Sequence, residues 1–277
     1  MVNPTQIRAR SLSKTEAGLV SQLEFEGELI IDLDAIQRLT GLDRNPARIL
    51  ATRLVKKGWL ARVRRGVYQF VPAQMGGYER QDWFMVLQAV RAPYYLSFLS
   101  AAYHYGLTPQ RPTLAQIATP RRIRARYATP EHGIEQVVIT EERFFGMREE
   151  TRDRLTITVA EPEKTAIDCL AYAQRCGGIL EAARIVQRAA RRLDVATLVD
   201  YAIRVGTKTL SQRLGYLLEL AGVDVEGRDL QRLKEGLGRR RAYLANVSMY
   251  GRKGSFVPRW GLIDNVGRER LLSEAEF

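Results

Sequence analysis

Asn45-Pro-Ala-Arg-Ile-Leu-Ala-Thr-Arg-Leu-Val-Lys-Lys-Gly58 runs directly into Trp59-Leu-Ala-Arg-Val-Arg-Arg-Gly-Val-Tyr-Gln-Phe-Val71, and the reading of this stretch decides the fold of the first part of the chain. The first half predicts a helix. Asn45 suits an N-cap, and Pro46 suits the first helical position, where a missing N–H costs nothing. Ala47, Leu50, Ala51, Leu54 and Val55 recur at the spacing of one helical face, and Gly58 can end the helix in a left-handed cap. Arg48, Thr52, Arg53 and Lys56 then point away from the core. The second half predicts a hairpin: two apolar, β-branched runs flank Arg64-Arg65-Gly66, and Gly66 supplies the positive φ of a tight turn. From Arg44 to Tyr78 there is no Asp or Glu but eight cations: Arg44, Arg48, Arg53, Lys56, Lys57, Arg62, Arg64 and Arg65. A basic helix leading into a basic-tipped hairpin is the core of a winged helix-turn-helix, whose helix enters a DNA major groove while the wing grips flanking phosphates.

The residues before it complete such a domain. Ser13-Lys-Thr-Glu16 has the form of a capping box opening a helix to about Phe25, which Gly27 breaks. Glu28-Leu-Ile-Ile31 reads as a short strand. Asp32 or Asp34 caps a second helix ending near Thr40-Gly41. The winged domain is expected over residues 1–73, with a Gly-containing linker at 74–80. Residues 81–277 read as a larger mixed α/β domain. Helices are expected over Asp82–Ala92 and Tyr94–Tyr105, and strands over Leu114–Ala118, Ile134–Thr140 and Leu155–Val159. A helix from Glu161-Pro162 to about Cys176 follows, then helices at Ile179–Leu193, Val195–Val205 and Lys208–Ala221. The whole is α+β.

The chain of 277 residues carries a net charge of +12. Residues 1–73 hold 12 basic and 7 acidic residues, and the remainder holds 31 and 24. Such a balance favours nucleic acid or another anionic partner. No apolar run is long enough for a membrane span, so no membrane partner is expected. Cys169 and Cys176, seven apart on one expected helix, lie too far apart for a disulfide and read as buried thiols of a cytoplasmic protein.

In the winged region, Arg48 and Thr52 are placed to reach base edges, and Arg44 and Asn45 to meet phosphate at the helix start. Arg53 and Lys56 extend the same face, and Arg62, Arg64 and Arg65 supply the wing. Further on, Arg121, Arg122, Arg124 and Arg126 lie in a stretch free of acids, and Arg184, Arg188, Arg191 and Arg192 form one stripe on a helix. With Arg239-Arg240-Arg241 they make a possible second anionic-ligand surface, for flanking DNA or for RNA. Each set alone reads equally as a solvated face. Glu163, Lys164 and Asp168 near a helix start read as acids complementing the helix dipole rather than as catalysts. His104, among tyrosines, reads as a packed or capping histidine, and His132 as a loop residue.

Enzyme signatures are absent. Two separated histidines and two cysteines offer no zinc ligand set, and no metal or cofactor is expected. There is no Walker loop, G-x-G-x-x-G or G-x-S-x-G. No lysine has an acid two residues before it, as a common nuclease motif requires. Asp32-x-Asp34 lacks the Gly-Ser turn of a nucleotidyltransferase.

Several segments in order resemble the AbiEi family, the antitoxin and transcriptional-regulator half of abortive-infection toxin–antitoxin systems. They are Gly58-Trp59-Leu60, Arg65-Gly-Val-Tyr68, Tyr95-Leu-Ser97, Ser100-Ala-Ala-Tyr-His-Tyr-Gly-Leu107, Phe144-Phe-Gly146, Pro162-Glu-Lys-Thr-Ala-Ile-Asp-Cys-Leu170, Arg213-Leu-Gly-Tyr-Leu-Leu-Glu219 and Trp260-Gly-Leu-Ile263. The resemblance implies a non-enzymatic regulator that binds double-stranded DNA at repeats in its own promoter. It also implies neutralisation of a neighbouring nucleotidyltransferase-type toxin by the C-terminal domain, with no stable complex required. An RNA-binding or RNA-processing protein using the C-terminal arginines is the alternative.

Overall fold

The computed structural model describes residues 11–27, 30–71, 83–88, 90, 92–123, 133–152, 155–223, 225, 227–235, 237 and 241–272. The described residues within 1–91, 124–134 and 151–156 cluster as one compact unit, and those within 92–123, 135–150 and 157–277 as a second. The architecture is α+β, a winged helix followed by a larger mixed domain.

The first unit opens with α1 (Lys14–Glu26), started by the full capping box: Ser13 N–H donates to Glu16 Oε2 at 2.7 Å, and Glu16 N–H donates to Ser13 Oγ at 3.4 Å. Strand β1 (Ile30–Asp32) leads without a loop into α2 (Leu33–Thr40), because Asp32 is both the last strand residue and the N-cap, accepting from Ala35 N–H at 2.8 Å. Then come α3 (Arg44–Lys56), β2 (Leu60–Arg64), β3 (Val67–Phe70) and α4 (Trp83–Leu87). Helix α3 starts at Arg44 with Asp43 as its N-cap, so Asn45 and Pro46 lie inside its first turn rather than at the cap. Pro is tolerated there for the same reason, since first-turn N–H groups have no partner within the helix. The antiparallel sheet runs β1-β3-β2. Its register pairs Ile31 with Tyr68 and Asp32 with Val67. Leu19, Leu23, Ile36, Ala47, Leu50, Ala51, Leu54, Leu60, Tyr68 and Phe70 fill the core between the helices and this sheet. The expected linker lies outside the described residues.

The second unit contains β4 (Tyr95–Leu96), α5 (Phe98–His104), β5 (Ala115–Thr119), β6 (Ile134–Val138), β7 (Met147–Arg152) and β8 (Leu155–Ala160), some of whose end residues cluster with the first. Their sheet order is β6-β5-β4-β8-β7. The single helix expected over Tyr94–Tyr105 is therefore wrong. Tyr95 and Leu96 form the central strand, antiparallel to β5 and parallel to β8. Pairing on both sides overrides the helical composition of the stretch. The chain turns from β4 into α5 at Phe98, whose φ is +53°, an unusual value for a residue with a Cβ. The turn is braced by Gln116, whose side-chain oxygen accepts from Leu99 N–H and whose carbonyl accepts from Ser97 N–H, both at 2.9 Å.

Helices α6 (Pro162–Ala171), α7 (Ile179–Arg192), α8 (Val195–Val205), α9 (Lys208–Leu220) and α10 (Gly227–Glu235) follow. The chain ends in β9 (Ala242–Tyr243), α11 (Val247–Tyr250), β10 (Ser255–Val257), β11 (Leu262–Asp264) and α12 (Arg268–Leu272), with strand order β10-β11-β9. Helix α6 stops five residues short of Cys176. A 3-10 turn at Ala173–Arg175 brings that thiol back within hydrogen-bond reach of Cys169, so the two do not sit two turns apart on one helix. Both remain free and buried, and burial raises the Cys169 pKa.

Two helical glycines make opposite predictions. A Cβ on Gly215 of α9 would lie 2.1–2.5 Å from ring carbons of the buried Trp260, whereas one on Gly18 of α1 meets nothing within 4 Å. Gly215→Ala should lower the stability of the C-terminal unit by about 1–2 kcal/mol, because overpacking outweighs the better helix propensity. Gly18→Ala should raise that of the N-terminal unit by roughly 0.5–1 kcal/mol. Urea unfolding of each variant reads both signs.

Candidate nucleic-acid interface

Helix α3 buries Ala47, Leu50, Ala51 and Leu54, so its opposite face carries Asn45, Arg48, Ile49, Thr52, Arg53 and Lys56 into solvent. The β2–β3 hairpin rises beside that face, and between them lies an open groove of about 880 Å³. It is lined by Arg44, Asn45, Arg48, Thr52, Arg53, Lys56, Arg62 and Arg65 among others. Eight of the nine residues singled out from sequence in this region therefore meet in one groove. The ninth, Arg64, lies in β2, and its side chain is outside the described set. The turn at the wing tip depends on Gly66, with φ +77°.

The charge of the groove is one-sided. Its two acids are already engaged: Asp32 caps α2, and Asp34 meets Arg44 at 3.4 Å in an exposed pair. That pair is a weak tether that a phosphate can replace. Among the described residues, no acid pairs with Arg48, Arg53, Lys56 or Arg62. Lys57, one of the eight cations of the stretch, is not part of this surface. Its ammonium reaches back 2.6 Å to Glu16 at the start of α1. Burial alone would raise the Glu16 carboxyl, but Lys57 and the Ser13 backbone and hydroxyl outweigh it and hold it below its ordinary value.

Of the groove residues that α3 contributes, one was not among those singled out from sequence. Ile49 also lines the groove and is 49% exposed. Its signal was available, because position 49 falls off the period set by 47, 50, 51 and 54. Thr52 departs from its expected chemistry as well: its hydroxyl donates to the Arg48 carbonyl at 2.8 Å.

The C-terminal arginines are largely committed to the fold. Arg188 and Arg192 donate to the carbonyls of Leu107 and Gly106 at 3.0 and 3.3 Å, satisfying the chain just beyond α5. Arg184 pairs at 3.0 Å with Glu181, which also accepts from Thr108 and Gln110. Arg191 and Arg122 are exposed, while Arg121 meets Glu141 at 3.3 Å. Arg124, Arg126, Arg239, Arg240 and His132 lie outside the described residues. Arg241 stacks 4.5 Å over the ring of Phe256. His104 is packed against Tyr105 and bonded to Glu150 at 2.6 Å.

The residues at Pro162–Leu170 do not simply complement a helix dipole. Lys164 and Asp168 form a buried ion pair one turn apart on α6. Lys164 also donates to the Tyr95 hydroxyl at 2.9 Å, and Asp168 accepts from Ser97 Oγ at 2.9 Å and Tyr95 at 3.1 Å. Burial lowers the Lys164 pKa while Asp168 opposes it. The group clamps β4 to α6.

Residues 30–71 match the model of the AbiEi transcriptional regulator, and residues 95–220 match that of the AbiEi antitoxin C-terminal domain. The first match spans β1 to β3, and the second runs from the first residue of β4 to the last of α9. The chain belongs to the AbiEi family. No curated protein matches it. A solved structure, that of the RV2827C protein from Mycobacterium tuberculosis, shares the fold with this AbiEi protein: the TM-score is 0.71 at 19% identity, over 99% of this chain and 98% of that one. This AbiEi protein is thus an antitoxin and transcriptional regulator, and among its described residues no helix is long and apolar enough to cross a membrane.

The Glu16–Lys57 pair fixes the start of α1 to the end of α3. Because the Glu16 pKa is depressed on folding, its contribution is fully present above the unfolded value near 4.5 and is lost as pH falls through the folded value. Stability of the N-terminal unit to urea should fall as pH drops from about 7 to about 3.5. Glu16→Gln should be less stable at pH 7 and should show a shallower fall.

Proposed function

We propose that this AbiEi protein binds double-stranded DNA through the groove between α3 and the wing, recognises repeats in its own promoter, and thereby represses its own synthesis. The observation that carries this reading is the set of six cations, Arg44, Arg48, Arg53, Lys56, Arg62 and Arg65, facing a single groove whose two acids are already engaged. Arg48 is the base reader, while Arg44, Asn45, Arg53 and Lys56 meet phosphate along the major groove. The wing residues Arg62, Arg64 and Arg65 hold the flanking backbone. The larger domain is the antitoxin part, counteracting a nucleotidyltransferase-type toxin. With most described arginines of α7 bonded within the fold, the C-terminal surface is a weaker candidate for the primary nucleic-acid contact.

Fluorescence anisotropy of the full chain tests the reading. The probes are its own upstream DNA, a scrambled duplex and a structured RNA, all at one salt concentration. Preference for the upstream duplex by about 10³ or more is expected. The log–log salt slope should be about −5 per protomer if the six cations assigned to the DNA backbone, Arg44, Arg53, Lys56, Arg62, Arg64 and Arg65, all meet phosphate, at roughly −0.9 per contact. Arg48→Ala should cost roughly 1–3 kcal/mol on the upstream duplex and relax discrimination, while Arg65→Ala should weaken both duplexes alike. Equal binding to both duplexes, or tighter binding to the RNA, would overturn promoter recognition.

A further inference from the structure

We propose that α3 reads 5-methylpyrimidines, thymine in particular, through an apolar patch formed by Ile49 and the γ-methyl of Thr52. The inference rests on the DNA-binding reading and adds the base chemistry that the groove selects. Ile49 is a large aliphatic residue half in solvent on a helix whose other aliphatics are buried or partly buried. It is set among Arg48, Arg53 and Lys56 on the groove wall, so no core packing requires an isoleucine there. Thr52 stands one turn further along the same face, and its hydroxyl hydrogen is spent on the Arg48 carbonyl. A threonine whose hydroxyl donates back along its own helix no longer offers that hydrogen to a base, and its methyl becomes the group it presents.

The two side chains therefore make one apolar strip within a cationic surface. In the major groove of DNA, the one apolar feature on a base edge is the C5-methyl of thymine, or that of a methylated cytosine. The spacing fits. Three residues of helix rise about 4.5 Å, comparable to the roughly 3.4 Å between bases on one strand, so Ile49 and Thr52 address neighbouring base pairs. The flanking cations bring the strip to the groove through phosphate, and the strip gains only where methyl groups meet it. Sites recognised by this protein should thus carry thymine beside the base read by Arg48.

The test uses the full chain and its own upstream duplex at fixed salt. It is compared with the same duplex carrying uracil in place of every thymine, and with one in which every cytosine is 5-methylated. The variants are Ile49→Ala and Thr52→Ser. The serine keeps the hydroxyl and its bond to Arg48 but removes the methyl. Wild type should bind the uracil duplex more weakly by about fourfold for each methyl engaged, the value of burying one such group. Each variant should lose about one such factor of discrimination, and the double variant should bind the thymine and uracil duplexes equally. The same uracil penalty in wild type and double variant would overturn the proposal, since the methyls would then act elsewhere or through DNA shape. No penalty in wild type would overturn it too. Tightening by cytosine methylation alone, lost in the double variant, would overturn the assignment to thymine and give the strip to methylcytosine. Absence of binding to the unmodified duplex would overturn the DNA-binding reading itself and is seen before any methyl is altered.

Discussion

The groove exists because one short junction, Asp32-Leu33, ties the wing to the helices. Asp32 ends β1, pairs with Val67 at the start of β3, and caps α2 with its side chain. The next residue, Leu33, donates its N–H to the Gly66 carbonyl at the wing tip, at 2.8 Å. A hairpin joined to the body only at its base would swing. Here its tip is bonded to the first residue of α2, which packs on α3. The cations of the wing and those of α3 are thus held on opposite walls of one opening. Preorganisation of that kind spares a binding surface the entropy of ordering its own loops. The same constraint explains why Asp32 cannot act as a free acid in the groove, although it lies on its wall.

The larger unit depends on a different device. Lys164, Asp168, Tyr95 and Ser97 are buried together, linking the central strand β4 to α6. A lysine and an aspartate enclosed in this way cost desolvation, and removing one partner strands the other. Their contacts specify which helix lies under which strand. The same residues in an open cleft would read as catalytic machinery. Here every polar partner is another residue of the fold, and the arrangement reads as a positioning element of the antitoxin domain. Arg188 and Arg192 play a related part, spending their charge on the carbonyls after α5.

What the sequence made legible was local. The capping box at Ser13–Glu16, the apolar face of α3, the left-handed Gly58 that follows it (φ +75°) and the Gly66 turn each depend on residues a few positions apart, and each appears as read. The charge of the groove was also legible, since an acid-free stretch over a helix and hairpin leaves the cations little choice of partner. The rest needed distant residues. Tyr95 and Leu96 look helical until β5 and β8 claim both of their edges. Lys164 meets Tyr95 across 69 positions of chain. The stripe on α7 has the spacing of a binding surface, and nothing in its own sequence says that the end of α5 absorbs two of its arginines. Ile49 was hidden by its type, because an isoleucine in a helix is read as core unless its phase is checked against its neighbours.

Hydrogen–deuterium exchange of the full chain, with and without its upstream duplex, tests the central claim most directly. If the groove between α3 and the wing is the DNA-binding surface, the duplex should slow exchange in peptides covering residues 44–56 and 60–70. Peptides from α7 and α9 should be unchanged. Protection confined to α7 or to residues 241–259, with α3 and the wing exchanging as in the free protein, would contradict it.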